Sequence, residues 1–152
     1  MPDQRVPGVR LVVSLYREFE QVARRGDLSM AQYRTLLYLM GGAKRAGELA
    51  AANAVTKPTV SAMTTSLREQ GWVSEEVDSV DGRVVNIALT ASGKERVEQF
   101  ELDLADRMEE LLPGVDRQEL RTTLAALYGA HARTREDRLA FGLDSGGRSG
   151  HS

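Results

Sequence analysis

The sequence contains no cysteine, and this excludes several classes of protein at once. Disulfide scaffolds, thiolate metal sites, iron–sulfur clusters and thiol redox switches all require cysteine, so none of them fits these 152 residues. Histidine is nearly as scarce, with His131 on a predicted helix and His151 in a Gly/Ser-rich segment. Because no catalytic motif accompanies His131, we interpret it as structural, and the sequence predicts no enzyme, no metal site and no cofactor.

Long apolar runs are missing as well. No stretch approaches the ~20 apolar residues that a membrane-spanning helix needs. The first ten residues, MPDQRVPGVR, lack the apolar run and the small-residue cleavage site of a secretory signal. We therefore expect a cytoplasmic protein with no membrane partner. A content of 41% apolar and 28% charged residues is typical of an ordinary globular domain, and the length fits one such domain.

An excess of positive charge is the third feature that the sequence lacks. The net charge is −2, which argues against general binding of polyanions. A DNA-binding function must then depend on where the cations lie. The segment Lys44–Val73 holds four cations and two acidic residues, a local charge of +2. The following segment, Ser74–Leu89, sets Arg83 against four acidic residues, a local charge of −3.

Apolar side chains at three- and four-residue spacing predict four helices in the first half of the chain. The first covers residues 5–25 and carries more apolar residues than one core contact needs. Ser29 and Gln32 form a capping box that opens the second. A short third helix runs from Gly47 to Ala52, and Thr56 caps a fourth that ends at the next glycine.

Alternating apolar residues then predict a two-stranded β-hairpin, with Asp81-Gly82 as its turn and Arg83 at its tip. Thr90 begins a long fifth helix, and Pro113-Gly114 separates it from a sixth. The predicted fold is mainly α with a small β-hairpin wing, a winged helix-turn-helix flanked by N- and C-terminal helices. The predicted boundaries are 1–143 for a single domain, 28–90 for the winged helix-turn-helix, 5–25 and 91–141 for the flanking helices, and 144–152 for a disordered tail.

The segment VTKPTVSAMTTSLREQGWV has two different faces on a helical wheel. Val60, Met63 and Leu67 share one face and are predicted to enter the core. The opposite face carries small side chains and hydroxyl groups, which can contact base edges in a major groove. The cations that flank this face can bind phosphates. An arginine at the wing tip suits a narrow minor groove, with Asp81 as its turn-former or orienter. The residues predicted to contact DNA are Lys44, Thr56, Lys57, Pro58, Thr59, Ser61, Ala62, Thr65, Ser66, Arg68 and Arg83.

Three motifs, in order and at matching spacing, carry a resemblance to a known family. They are ELA opening helix three, TKPTVS opening helix four and DGRxxxIxLTxxG closing the wing. Together they resemble the central region of the multiple-antibiotic-resistance regulator (MarR) family, from Tyr33 to about Glu95. The resemblance implies a homodimeric transcription factor, usually a repressor, on a pseudo-palindromic double-stranded DNA operator. The helix Thr56–Gln70 would enter the major groove and Arg83 the minor groove, and the terminal helices would form the dimer.

The resemblance also implies release of DNA by a small aromatic or phenolic ligand. We expect its pocket near Tyr16, Tyr33 and Trp72, although all three could instead be dimer or core aromatics. The chain departs from the family where an arginine often follows the helix-four serine, because Ala62 stands there. Thr65 and Ser66 likewise replace a commonly charged pair, and Val84 replaces a frequent second wing arginine. Fewer cationic base readers predict weaker non-specific binding and a different operator preference.

Two other functions are compatible with the sequence. Winged helices also mediate contacts between proteins, so an interaction module without specific DNA binding is the main alternative. An enzyme is the weakest interpretation, because the sequence has no nucleophile motif, phosphate-binding loop or metal-ligand spacing.

Overall fold

Six helices and three short strands make up the residues that the structure describes, 5–140, with side chains described to 134. The structure is a computed structural model, and the predicted tail 144–152 lies outside the described residues. The elements in chain order are α1 (Arg5–Arg25), α2 (Met30–Leu39), β1 (Lys44–Arg45), α3 (Ala46–Asn53), α4 (Lys57–Glu69), β2 (Val73–Val77), β3 (Val85–Leu89), α5 (Ala91–Leu111) and α6 (Arg117–Ala140). The prediction of a mainly α winged helix with a small sheet is confirmed. The chain divides into two compact units, to Glu110 and from Leu111.

The first unit has one continuous hydrophobic core to which all its helices contribute. Burying a large apolar side chain stabilises a fold by about 1.5–3 kcal/mol, so this cluster is the main source of stability. Thr35, the one fully buried polar side chain of α2, donates its hydroxyl to the carbonyl of Ala31 at 3.0 Å. The fully buried apolar side chains are Leu28, Leu36, Leu39, Leu49, Val60, Leu67, Val97 and Phe100.

Helix ends follow the caps that the sequence predicts. The Ser29 hydroxyl accepts from the Gln32 N–H at 3.1 Å, and the Gln32 side chain accepts from the Ser29 N–H at 2.9 Å. Thr56 caps α4 by accepting from the Thr59 N–H at 3.4 Å, and Gly71 follows with a φ of 75°. Each cap pairs residues three apart in the chain, which is why sequence alone reveals it.

The sheet differs from the prediction in two respects. It has three antiparallel strands in the order β1-β3-β2, because Lys44 and Arg45 pair with Ile87 and Asn86. The wing loop is also longer than a two-residue Asp-Gly turn, and Gly82 does not adopt the positive φ that such turns use. Asp78 closes the loop by donating its N–H to the Val84 carbonyl at 2.8 Å.

Two ion pairs tie α5 to the start of the chain. Arg96 donates to Asp27, before α2, at 2.6 Å, and this hydrogen bond holds the pKa of Asp27 below its usual value. The same guanidinium lies 5.8 Å from the centre of the Trp72 ring. Arg107 bonds Glu18 of α1 at 2.6 Å, and this contact raises the pKa of Arg107. Both pairs therefore fix α5 against the N-terminal part of its unit.

The second unit consists of α6 and the turn before it. Asp116 accepts from the Glu119 N–H at 2.9 Å and so caps the start of α6. Leu127 and Tyr128 are exposed, and so is His131. None of the helices within residues 5–140 combines the length and the apolar content that crossing a membrane would require.

Candidate nucleic-acid interface

The turn between α3 and α4 has the tight geometry of a helix-turn-helix. Ala54 adopts the left-handed conformation, with a φ of 52°. The N–H of Val55 bonds back to the Ala50 carbonyl at 3.1 Å, and the Asn53 amide donates to the Leu49 carbonyl at 2.9 Å. These bonds satisfy the carbonyls at the end of α3 and fix the direction in which α4 leaves.

The two faces of α4 lie as the wheel predicts. Val60 and Leu67 are fully buried and Met63 packs against the same core. Thr64, to which sequence reasoning assigned no role, is also buried, and its hydroxyl donates to the Val60 carbonyl at 2.9 Å. The exposed residues of α4 are Lys57, Pro58, Thr59, Ser61, Ala62, Arg68 and Glu69.

The N-terminal turn of α4 concentrates the polar groups that could meet DNA. The hydroxyls of Thr56 and Thr59 lie 2.9 Å apart and bond each other. Lys57 and Pro58 are exposed beside them, and proline in the first turn removes no helical hydrogen bond. The free N–H groups and partial positive charge of a helix start favour a phosphate at this position.

Thr65 and Ser66 are half-buried rather than freely exposed. The Ser66 hydroxyl accepts from the side-chain amide of Gln32 at 3.4 Å, so it takes part in the contact between α2 and α4. Of the predicted base-contacting residues, Thr59, Ser61 and Ala62 are the most accessible, and all three belong to the first half of the helix.

Two aspartates organise the wing loop around Arg83. Asp81 accepts from the backbone N–H of Arg83 at 3.0 Å, which makes it a turn-former. Asp78 accepts from the N–H groups of Val80 at 2.8 Å and Asp81 at 3.3 Å, and these bonds hold its pKa below the usual value. The guanidinium of Arg45 lies 3.9 Å from Asp78. The Arg83 side chain is exposed and makes no ion pair with any described residue.

The other predicted cations are in different surroundings. The Lys44 ammonium lies 5.4 Å from the centre of the Tyr38 ring, and its side chain is half-buried. Arg68, in the last turn of α4, forms an ion pair with Glu75 of β2 at 2.8 Å. Lys57 and Arg83 are therefore the cations of the predicted DNA-contacting set that lie exposed and make no ion pair with any residue in the described part of the chain.

Arg45, Glu75 and Asp78 take part in the site although the sequence pattern predicts no role for them. The sequence contained a partial signal for Asp78, because an aspartate side chain often accepts a hydrogen bond from the backbone N–H two residues later and so forms an Asx-turn. No local signal marks Glu75 or Arg45, because each meets a partner from another part of the chain, Arg68 and Asp78.

The three aromatics predicted to bind a ligand have different surroundings. Tyr16 lines a cleft of about 300 Å³ between α1 and α2, together with Met30, Arg24 and Arg34. Tyr33 donates its hydroxyl to Glu101 at 2.9 Å. Trp72 is buried in the core.

Comparison with known proteins agrees with this geometry. Residues 26–84, which span α2 to the wing loop, match the model of the MarR family. The segment that holds the helix-turn-helix and most of the wing is therefore similar to the MarR family. A curated relative is the HTH-type transcriptional repressor YetL of Bacillus subtilis, 42% identical over 53 residues. That match covers 35% of the chain and 32% of YetL, so it spans about a third of the relative's length.

Solved structures resemble the chain over most of its length. A MepR mutant of S. aureus bound to an oligodeoxyribonucleotide matches with a TM-score of 0.63 and 23% identity, over 88% of this chain and 99% of that one. MarR of E. coli in its apo form gives 0.64 and 22%, over 86% and 96%. Tm0710, a transcriptional regulator of Thermotoga maritima, gives 0.67 and 21%, over 89% and 97%. At these identities the likeness concerns the fold.

Proposed function

We propose that the chain is a transcriptional regulator, a homodimeric repressor that binds a pseudo-palindromic DNA operator in the cytoplasm. The observation that carries this proposal is that the first half of α4 exposes serine and threonine hydroxyls and that Arg83 of the wing is also exposed. The match of residues 26–84 to the MarR family model, the name of YetL and the DNA-bound state of the MepR neighbour support it.

In this proposal the two parts of the site have different tasks. Thr59, Ser61 and Ala62 contact base edges in the major groove, where hydroxyls form hydrogen bonds and methyl groups pack on thymine. Lys57 and the N-terminal N–H groups of α4 hold a phosphate and fix the register. Arg83 enters the minor groove, where a narrow A·T-rich segment concentrates negative potential.

Arg83→Ala is expected to weaken operator binding and make it less sensitive to salt. Each lost cation–phosphate contact lowers the slope of log K against log[salt] by about 0.9, and a minor-groove arginine releases counterions in the same way. The measurement is fluorescence anisotropy on DNA from upstream of the coding sequence, between 50 and 300 mM salt.

The matched control is Arg25→Ala, which removes an exposed arginine from the end of α1, outside the helix-turn-helix and the wing. It should leave the slope unchanged. Equal slopes for the wild type and Arg83→Ala would remove Arg83 from the interface. If the wild-type chain formed no specific complex with DNA even at low salt, binding to a partner protein would become the better proposal for its function.

The homodimer is supported by the surface of α1. Its large apolar residues face solvent in the single chain, Val9 at 64% and Val12 at 66% exposure. Monomeric proteins rarely leave a contiguous apolar patch of this kind uncovered, so such a patch favours an interface. A second copy of the chain would cover it and place two α4 helices on the two half-sites of an operator.

We also propose that the cleft between α1 and α2 binds a small aromatic acid that releases the DNA. Tyr16 and Met30 provide apolar contact area, while Arg24 and Arg34 provide positive charge for a carboxylate or phenolate. Arg24 is partly engaged by Glu20 at 3.9 Å, which leaves Arg34 as the principal anion-binding group.

Salicylate, a phenolic acid of this class, is expected to weaken operator binding by the wild-type chain. Arg34→Gln should raise the concentration needed for half-release about tenfold, because a charge-assisted hydrogen bond is lost. The measurement is salicylate titration of the preformed complex at constant ionic strength. Arg25→Gln, the control, should respond like the wild type. An unchanged response of Arg34→Gln would exclude the cleft as the binding site.

A further inference from the structure

Arg68 and Glu75 connect the end of α4, the helix proposed to enter the major groove, to β2, the first strand of the wing. The Arg68 guanidinium lies 2.8 Å from the Glu75 carboxylate. Their side chains are 47% and 45% exposed, so the pair lies at the surface but within direct hydrogen-bond contact. Arg68 is one of the few cations on α4. Whether it is paired with Glu75 therefore decides how much positive charge the helix presents to DNA.

A bound phosphate cannot recruit Arg68 without a penalty. The ion pair is electrically neutral as a unit, so its approach to the duplex releases few counterions. If Arg68 turns towards a phosphate, the Glu75 carboxylate loses its partner and lies unpaired near the negatively charged DNA backbone. Like charges close together repel, and this repulsion offsets the new arginine–phosphate contact.

The other carboxylates of the wing do not have this role. Asp78 and Asp81 accept hydrogen bonds from backbone N–H groups of the wing loop and serve its folding. Glu76 follows Glu75 directly and therefore points to the opposite face of β2. Glu76 is exposed and makes no ion pair with any side chain in the described range.

We propose that Glu75 masks Arg68, and so lowers the affinity of the chain for DNA of arbitrary sequence. The inference rests on the proposed DNA-binding function and deepens it. Non-specific binding is almost entirely electrostatic, so it depends on how many cations are free to meet phosphates. Glu75 keeps Arg68 out of that number, while the base-contacting first half of α4 remains unaffected.

A double-mutant cycle on non-operator DNA tests the masking. Glu75→Gln keeps the shape of the side chain and removes its charge, so Arg68 becomes free to bind phosphate. The salt slope should steepen by about 0.9 for each Arg68 released. The affinity gain over wild type should therefore grow about 3.5-fold for each Arg68 when the salt concentration falls from 200 to 50 mM. The double variant Arg68→Ala/Glu75→Gln replaces the neutral pair by two neutral side chains, so its salt slope should equal that of the wild-type chain. In the Glu75→Gln background, Arg68→Ala should abolish the gain.

Glu76→Gln is the matched control, because it removes the same charge from the neighbouring position on the other face. Its effect should not depend on Arg68. Masking is overturned if the double variant Arg68→Ala/Glu75→Gln has a flatter salt slope than the wild-type chain, or if Glu76→Gln couples to Arg68 as strongly as Glu75→Gln does. If the wild-type chain binds no DNA at all, the proposed function and the masking are both overturned. This result is distinct from the two outcomes that overturn the masking alone.

Discussion

Gly93→Ala is expected to destabilise the winged-helix unit by about 3 kcal/mol, at the upper end of the usual cost of overpacking. Gly93 is buried in the first turn of α5, and a Cβ at this position would overlap the backbone carbonyl of Trp72. The overlap cannot be relieved by rotating a flexible side chain, because the atoms belong to the main chain.

The backbone around Gly93 is held on several sides. Trp72 accepts at its carbonyl from the Thr90 N–H at 3.1 Å. The Thr90 hydroxyl donates to the Gly71 carbonyl at 2.7 Å and accepts from the Gly93 N–H at 3.0 Å. Moving α5 away to admit a methyl group would stretch the two bonds that Thr90 makes to Trp72 and Gly71. The substitution therefore strains the junction between the recognition helix, the wing and α5.

Thermal unfolding followed by circular dichroism measures this effect. For a chain of this size, the expected loss corresponds to a fall in melting temperature of roughly 10 °C. Gly47→Ala is the control, since Gly47 is also helical and the nearest atom to a Cβ there is the flexible Lys57 chain at 4.0 Å. It should hold or raise the melting temperature, because alanine favours helices over glycine. Equal melting temperatures for Gly93→Ala and the wild type would refute the close packing.

Local patterns predicted the helical framework and the core face of α4. The caps at Ser29, Thr56 and Thr90 each pair residues three apart, and Val60 and Leu67 follow the helical period. Such signals involve only a few neighbouring residues, so a single sequence contains all the information that they need. The same reasoning identified Arg83 as the cation at the wing.

Long-range pairings could not be predicted in the same way. The strand β1 is two residues long and exists because Lys44 and Arg45 meet β3 about forty residues later. The pairing of Arg68 with Glu75 depends on how α4 packs against β2. Neither segment has a composition that indicates its partner. The missed features are therefore those that only the assembled fold brings together, and they determine which cations remain free for DNA.

The wing turn shows how a correct local signal can lead to the wrong geometry. Asp81-Gly82 is a strong two-residue hairpin signal, yet the loop extends from Asp78 to Val84. Asp78 competes with the short turn, because its side chain accepts two backbone N–H groups that a tighter hairpin would arrange differently. The aspartate closer to the strand therefore sets the loop length. Arg83 consequently follows a wider loop than the sequence suggested.

Val12→Glu is expected to convert the proposed dimer into a monomer and to lower operator affinity by about a hundredfold or more. Val12 is 66% exposed and lies with Val9 and Val13 on the apolar side of α1. A charge buried in an apolar interface without a partner is strongly unfavourable. Because α4 contributes few cations, one half-site contact is weak, and linking two such contacts multiplies affinity by about 10²–10⁴.

Size-exclusion chromatography with light scattering gives the oligomeric state, and fluorescence anisotropy on operator DNA gives the affinity. Ser14→Glu is the control, because it adds the same charge two residues away on the opposite, polar side of α1. It should remain dimeric and bind the operator like the wild type. A Val12→Glu chain that stays dimeric would exclude this face of α1 as the interface. A monomer that still binds the operator with wild-type affinity would instead mean that a single α4 and its wing suffice.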